Sequence, residues 1–265
     1  MLGAIIGDIV GSRFEFNNFR SKDFELFTDE CQVTDDSIMT LAVAKAILAC
    51  GGDWEQLGHN TAKYMQEIGC KYPNCGFGGM FGKWVFSDKP VPYNSFGNGA
   101  AMRVSPCGFI ARTEEEAILL SRKVTEVTHN HPEGLKGAEA VSVAIFLARE
   151  GAVKNEIKER IEKDYYALNF TLDSIRDEYE FNETCQRTVP QAIVAFLESD
   201  SFEYAIRGAV SIGGDSDTIA AITGSIAEAF YGIPSDLKNK ALIYLDRELF
   251  YIYEEWENKT RKTTK

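Results

Sequence analysis

Two short acidic clusters in the sequence have the residue types of a site for hard metal ions. Asp215 and Asp217 are followed directly by Thr218, and a second cluster spans Thr34–Asp36 far upstream. Each cluster offers two carboxylates and one hydroxyl. Mg²⁺ and Mn²⁺ prefer such all-oxygen ligand sets, with waters or substrate completing an octahedron. The two clusters therefore indicate a divalent-cation site.

Two alternatives compete with a metal site. Thr and Asp are preferred N-cap residues, and the helix dipole favours anions there, so either cluster alone is better explained as a cap. Together, however, four carboxylates lie beside helices of small residues, where packing them without cations would cost several kcal/mol. Asp-x-Asp also opens the aspartyl-phosphate motif of haloacid-dehalogenase-type phosphatases. That motif follows a strand near the start of a βα domain, whereas 215–217 lies late in a helical pattern.

A glycine-rich run, Asn94–Arg103, could hold a phosphorylated ligand. Gly97 and Gly99 permit close backbone approach, and the residues after them begin a helix. Backbone N–H groups in this arrangement can bind a pyrophosphate. Arg103 either supports that binding or pairs with one of the many acids, and the sequence leaves both open.

Two histidines and one glutamate elsewhere in the sequence are further polar candidates. His129 and His131 lack the further Cys or His ligands of a zinc site. His129 either faces a substrate or forms hydrogen bonds in the core. Glu15 follows the first helix, and its ordinary role would be that of a solvated surface residue.

Helical periodicity and capping signals dominate the chain and predict an all-α fold of about a dozen helices. Three of these helices are built of small residues that allow close approach of helix axes: Leu2–Val10, Ser37–Ala49 and Thr218–Ala229. Each has an acid near one end, so we expect those ends to converge. Weak strand candidates are Phe24–Phe27 and Val85–Phe86. Two other expected helices follow the caps Asp53 and Thr113. The remaining ones span 138–149 after Pro132, 156–165, 183–198, 202–210, 217–230 and 235–257, the last as one helix or as two.

Composition limits the classes of function. The 265 residues are 45% hydrophobic and contain no linker or repeat, which predicts one domain over 1–265. A net charge of −12 disfavours nucleic-acid and anionic-membrane partners.

No segment has the pattern of a membrane span or a signal peptide. Six cysteines without a CxxC pair indicate reduced thiols in a cytoplasmic protein. The basic end, Lys259–Lys265, is expected to be a solvated tail.

The motifs, taken in order, resemble those of the ADP-ribosylglycohydrolase family, which includes the dinitrogenase-reductase-activating glycohydrolases. The resemblance runs from Gly3 to about Pro234. The motifs that carry it are Gly7-Asp8, Gly11-Ser12, Glu15, Thr34-Asp35-Asp36-Ser37, Ser95 to Arg103, Thr128-His129 and Gly213 to Ile219.

This resemblance implies a compact orthogonal helix bundle with a binuclear cleft for two divalent cations, Mg²⁺ or Mn²⁺. The metal ligands it implies are Thr34, Asp35, Asp36, Asp215, Asp217 and Thr218. The predicted catalytic residues are Glu15 and Asp36, and the predicted substrate-binding residues are Ser95, Phe96, Gly97, Asn98, Gly99, Ala100, Met102, Arg103 and His129.

The implied activity is metal-dependent hydrolysis of the bond between ADP-ribose and a protein side chain, by an enzyme expected to be a monomer. The stretch Cys70–Trp84, which corresponds to the leaving-group side, holds no acid that would pair with a guanidinium. Specificity for arginine-linked substrates is therefore left open. The alternatives are hydrolysis of a non-protein ADP-ribose conjugate and a catalytically silent relative that binds ADP-ribose and metal.

Overall fold

The structure of the chain, a computed structural model, describes residues 1–263 and side chains through Thr260. These residues form fifteen α-helices and two short 3-10 helices, and their only β-type pairing is a bridge between Gly97 and Thr184. The all-α prediction is confirmed. The α-helices are α1 Leu2–Gly11, α2 Asp35–Cys50, α3 Leu57–Gly69, α4 Gly79–Val85, α5 Gly99–Met102, α6 Ser105–Ile110, α7 Glu114–Thr125, α8 Pro132–Arg149, α9 Lys154–Asp164, α10 Leu172–Ile175, α11 Cys185–Glu198, α12 Phe202–Val210, α13 Ser216–Tyr231, α14 Ser235–Leu242 and α15 Arg247–Thr263.

The capping signals position the longer helices. The Thr113 hydroxyl accepts a hydrogen bond from the backbone N–H of Glu116 at 3.1 Å, and α7 follows it. Pro132 occupies the first position of α8, where a missing N–H costs nothing. The Asp53 side chain accepts from Glu55, but it caps the 3-10 helix Trp54–Gln56 that precedes α3. The expected helix 235–257 is interrupted after Leu242 and continues as α15.

Both strand candidates are wrong. Val85 ends α4, and Phe24 instead belongs to a cluster of aromatic rings. The Phe24 ring lies 5.2 Å from that of Phe14 and 5.6 Å from that of Phe19. The tail expected over 259–265 is helical as far as Thr263, and its last two residues lie outside the described part of the chain.

Three glycines at intervals of four residues bring α1 and α13 into backbone contact. A Cβ on Gly3 would lie 2.1 Å from the carbonyl oxygen of Gly224, and one on Gly7 would lie 2.0 Å from that of Ala220. A Cβ on Gly11 would lie 2.5 Å from the Asp217 Cα. Residues four apart share one helix face, so α1 and α13 pack antiparallel along this face. The end of α1 therefore lies beside the start of α13.

Asp8 joins α2 to this pair. Its carboxylate accepts from the backbone N–H groups of Thr34 and Ser37, at 3.0 and 3.1 Å, and from the Thr34 hydroxyl at 2.6 Å. These are donors at the N-terminus of α2 that have no partner within the helix. The predicted convergence of the three small-residue helices is confirmed, and it brings both acidic clusters to one place.

The hydrophobic core extends over the described chain, from Met1 in front of α1 to Trp256 on α15. In residues 1–263, every helix is either too short or too polar to cross a lipid bilayer.

Candidate active site

Three carboxylates meet where α1 and α13 converge. Asp215 is the N-cap residue of α13, Asp217 lies in its first turn, and Glu15 follows the 3-10 helix Ser12–Phe14. One oxygen from each of the three lies within 4.8 Å of the other two. That spacing would let a single ion contact all three residues.

The second acidic cluster reaches the first through Asp36. The Thr34 hydroxyl caps α2 by accepting from the Asp36 N–H at 3.3 Å. Asp36 is 3% exposed, and its Oδ2 accepts from the Thr218 hydroxyl at 3.2 Å. The buried Asp36 Oδ1 has no hydrogen-bond partner. A buried carboxylate oxygen without a donor is costly unless a cation or a proton compensates it.

Burial and mutual repulsion make these carboxylates hard to ionise. Burial, followed by the charges of Asp8 and Asp215, raises the pKa of Asp35 to about 8. Burial and the charges of Asp215 and Asp8 raise the pKa of Glu15 to about 7. Burial and neighbouring carboxylates also raise the pKa of Asp217 well above its usual range. Bound divalent cations would reverse this balance.

These residues fit a hard divalent cation. The cluster is all oxygen, and one of its buried oxygens has no partner. Among the described residues, the candidate metal-ligand group with closely spaced donor atoms is Glu15, Asp215 and Asp217. Carboxylate and hydroxyl donors suit Mg²⁺ or Mn²⁺ rather than zinc.

Hydrogen bonds hold the glycine-rich loop beside this acidic cluster. The Asn98 side-chain amide donates to Asp215 Oδ2 at 2.6 Å and to Thr188 at 3.2 Å. The Asn98 backbone N–H donates to the Glu183 carbonyl at 2.7 Å. Asn98 therefore connects the loop to the carboxylates and orients Asp215.

The loop and the carboxylates line a single cavity of about 330 Å³. Its rim carries exposed aromatic rings. Phe96 lies 5.2 Å from the His131 ring, and Phe181 stacks on Phe16 at 5.8 Å. The other wall, Gly76 to Phe81, belongs to the stretch assigned from the sequence to the leaving-group side.

The structure brings most of the predicted site residues to this cavity. Two do not line it: Ala100 is fully buried at the start of α5, and the Thr34 hydroxyl is bound to Asp8. Those that line it are Glu15, Asp35, Asp36, Ser95, Phe96, Gly97, Asn98, Gly99, Met102, Arg103, His129, Asp215, Asp217 and Thr218.

Arg103 is fully buried and its polar contacts are not with an acid. Its Nη2 donates to the Thr128 hydroxyl at 2.6 Å, while Nε and Nη1 have no partner. Pairing with a carboxylate, one of the two roles left open by the sequence, is therefore wrong.

Three side chains at the site were not among the predicted site residues, although Asp8 was quoted as part of a motif. Asp8 holds the N-terminus of α2, and Tyr93 and Glu183 line the cavity. The position of Asp8 near the end of a small-residue helix was a usable signal. Glu183 precedes α11 without any local motif, so only the tertiary fold shows that it lies beside the loop.

The fold and the site together define an all-α protein whose carboxylate-lined cleft fits a hard divalent cation and adjoins a glycine-rich loop. The profile of the ADP-ribosylglycohydrolase family matches residues 1–253. The chain belongs to the ADP-ribosylglycohydrolase family.

Similar proteins agree with this assignment. The chain is 26% identical over 311 residues to the ADP-ribosylhydrolase ARH3 of Gallus gallus, covering 88% of this chain and 84% of that protein. It is 24% identical over 261 residues to the ADP-ribosylarginine hydrolase Tri1 of Pseudomonas putida (strain GB-1), covering 88% and 70%. A solved structure, an ADP-ribosylglycohydrolase-related protein complex, matches 95% of this chain and 93% of its own chain. Its TM-score is 0.67 at 22% identity, which supports the fold.

Proposed function

We propose that this chain is a metal-dependent hydrolase that cleaves the glycosidic bond between ADP-ribose and a protein side chain. One observation carries the proposal. The acidic cluster and the anion loop line the same cavity and are joined by the 2.6 Å hydrogen bond from Asn98 to Asp215. A ligand whose phosphates contact the loop would therefore extend its ribose toward the carboxylates.

Two divalent cations, Mg²⁺ or Mn²⁺, are the proposed cofactors. Their proposed ligands are Thr34, Asp35, Asp36, Asp215, Asp217 and Thr218, with Glu15 contacting or gating the site. When bound, the cations would orient the ribose hydroxyls and make a water molecule more acidic. Thr34 fits this set least directly, because its hydroxyl already donates to Asp8.

The protein's own groups have separate roles in this proposal. Glu15 is half-buried at the cavity and takes the proton of the attacking water. Asp36 is the second candidate for that proton, at its unpartnered Oδ1. The Ser95–Gly99 loop binds the phosphates, and His129 contacts the distal ribose. Ordinary glycosidases use two protein carboxylates for the equivalent steps.

The acceptor side chain is proposed to be arginine. Glu183 is exposed at the cavity, and it is close enough to raise the pKa of Glu15 and of Asp215. The neighbouring Phe181 offers an aromatic face. A guanidinium pairs with carboxylates and stacks on aromatic rings. Tri1, whose name specifies ADP-ribosylarginine, is among the similar proteins.

The test is release of free ADP-ribose from matched arginine-linked and serine-linked ADP-ribosyl peptides. Assays run with Mg²⁺, with Mn²⁺ and with EDTA, on the wild type, Asp36→Asn, Asp217→Asn and the exposed control Asp200→Asn. We expect metal-dependent release from the arginine-linked peptide, lost in the two cluster variants and retained in the control. Release from the serine-linked peptide alone would contradict the assigned linkage. No release from either peptide would favour a non-protein conjugate if small ADP-ribose esters are cleaved, and a silent binder if they are not.

A further inference from the structure

His129 is held by two buried donors. The Thr128 hydroxyl oxygen lies 2.7 Å from His129 Nδ1, and Arg103 Nη2 lies 3.4 Å from the same nitrogen. Arg103 Nη2 also donates to Thr128 at 2.6 Å. All three side chains are buried, with His129 the most exposed at 5%.

The direction of these hydrogen bonds follows from the chemistry of the groups. A guanidinium is always a donor, so the Thr128 oxygen accepts from Arg103. The single Thr128 proton can point to His129 Nδ1 at 2.7 Å or to the Thr125 carbonyl at 3.4 Å, and the shorter contact is to Nδ1. A direct donation from Arg103 would also end at Nδ1. The opposite arrangement, with Nδ1–H donating to Thr128, would require the Thr128 proton to take the longer 3.4 Å contact to Thr125. The shorter contact therefore makes Nδ1 an acceptor.

The other ring nitrogen faces the glycine-rich loop. A Cβ on Gly97 or Gly99 would lie 3.5 or 3.4 Å from His129 Nε2. Because neutral imidazole carries one N–H, an accepting Nδ1 places the proton on Nε2. Burial, followed by the charge of Arg103, lowers the pKa of His129 well below its usual value. The ring therefore stays neutral.

We propose that Arg103 and Thr128 are positioning residues, which lock His129 in the neutral Nε2–H tautomer and aim that N–H at a ligand oxygen above Gly97 and Gly99. The identity of that oxygen, in ADP-ribose, rests on the proposed function. The tautomer does not, because it is a property of the ligand-free protein. Arg103, whose other two nitrogens have no partner, thus acts through Thr128 and His129.

The tautomer is measurable by long-range ¹H–¹⁵N NMR of histidine-labelled protein without ligand. The chain has three histidines, and His59→Gln and His131→Gln assign the signals of the other two. We expect one protonated nitrogen, Nε2, and an unprotonated Nδ1 for His129. A protonated Nδ1 in the wild type would overturn the proposal.

Two variants test whether Thr128 and Arg103 fix the tautomer of His129. Thr128→Val keeps the shape and removes the hydroxyl, and Arg103→Met removes the donor with an apolar chain. We expect mixed His129 tautomers in both and about tenfold weaker ADP-ribose binding, the scale of lost orienting contacts. Thr128→Ser should restore the wild-type signals and affinity. The control Thr61→Val removes another buried threonine hydroxyl, one that has no partner, and should change neither.

The outcomes separate this inference from the proposed function. A wild-type His129 that is only the Nε2–H tautomer, and that becomes a mixture in Thr128→Val, supports the positioning role of Arg103 and Thr128. This holds even if ADP-ribose neither binds nor is released, and in that case only the proposed function fails. Thermal unfolding checks that Thr128→Val is folded. If the His129 ¹⁵N signals of that folded variant equal those of the wild type, the positioning role is overturned, whatever the activity.

Discussion

Neutralising one buried carboxylate should stabilise the metal-free protein. Asp36 is 3% exposed, and after burial itself the charges of Asp8 and Asp35 contribute most to raising its pKa. Two unit charges about 5 Å apart at an effective dielectric of 20 repel by about 3 kcal/mol. Asn would keep the shape and remove the repulsion, but it weakens the hydrogen bond from Thr218. We therefore expect Asp36→Asn to raise the free energy of unfolding in EDTA by about 1–3 kcal/mol at alkaline pH.

The pH dependence has a defined sign. Burial raises the pKa of Asp8 to about 6, and burial with neighbouring carboxylates raises that of Asp35 to about 8. Between the unfolded value near 4 and these folded values, the folded state binds more protons than the unfolded state. The free energy of unfolding of the metal-free wild type therefore falls as pH rises from about 4 to about 8. The gain in Asp36→Asn should be near zero below about pH 4, where the carboxyl is protonated in both states, and should grow as the pH rises above that.

Urea unfolding in EDTA, repeated with saturating Mg²⁺ or Mn²⁺, measures both effects. The cation should stabilise the wild type by about 2.7 kcal/mol at a hundred times its Kd, and Asp36→Asn should lose most of that gain. The control Asp200→Asn changes an exposed carboxylate and should follow the wild type at every pH. A metal-free Asp36→Asn protein that is less stable than the wild type at alkaline pH would refute the reasoning, because hydrogen bonds would then compensate the charge.

Three further substitutions test the packing and the site. Gly7→Ala should cost about 3 kcal/mol in urea unfolding, since its Cβ would lie 2.0 Å from a carbonyl oxygen of α13. Glu183→Gln should raise KM about fivefold for the arginine-linked peptide and leave serine-linked peptides unchanged, as loss of a partly exposed ion pair costs about 1 kcal/mol. Asn98→Ala should weaken metal binding about tenfold in a calorimetric titration, because Asp215 loses its orienting donor.

Matched variants separate these effects from general damage. Gly58→Ala, in α3, places its Cβ 3.5 Å from the nearest atom, the Lys123 carbonyl oxygen in α7, and should be neutral or stabilising by up to about 1 kcal/mol. Glu178→Gln and Asn239→Ala alter exposed side chains outside the cavity. A cost for Gly58→Ala equal to that of Gly7→Ala would contradict the close-packing explanation. If Glu178→Gln raised KM as much as Glu183→Gln, the role of Glu183 would be contradicted. If Asn239→Ala weakened metal binding as much as Asn98→Ala, the role of Asn98 would be contradicted.

Local signals predicted the long helices and the position of the acids. Thr113 and Pro132 mark helix starts through contacts within one turn, so a sequence can show them. The acids at Thr34–Asp36 and Asp215 stand at helix N-termini, which made their convergence predictable once the small-residue helices were expected to pack closely. Helices of one turn, such as α5 and α10, repeat too few residues to show periodicity.

Long-range contacts were beyond the sequence. Asn98 was assigned to the loop, yet its side chain binds Asp215, 117 residues away. Glu183 reaches the cavity because the residues before α11 pair with the loop. The role of Arg103 likewise depends on which hydroxyl lies next to it inside the core. In each case the tertiary fold determines which distant residue the side chain contacts, and no local sequence pattern indicates it.

The most direct test of the metal-dependent hydrolase is a cation titration of EDTA-treated, dialysed protein. ADP-ribose release from the arginine-linked peptide is followed as Mn²⁺ or Mg²⁺ is added in counted equivalents, with Asp217→Asn in parallel. We expect no release without cation, a rise to a plateau at two equivalents when binding is tight, and no rise in the variant. Full release from cation-free wild type, or a cation response that Asp217→Asn retains, would contradict it.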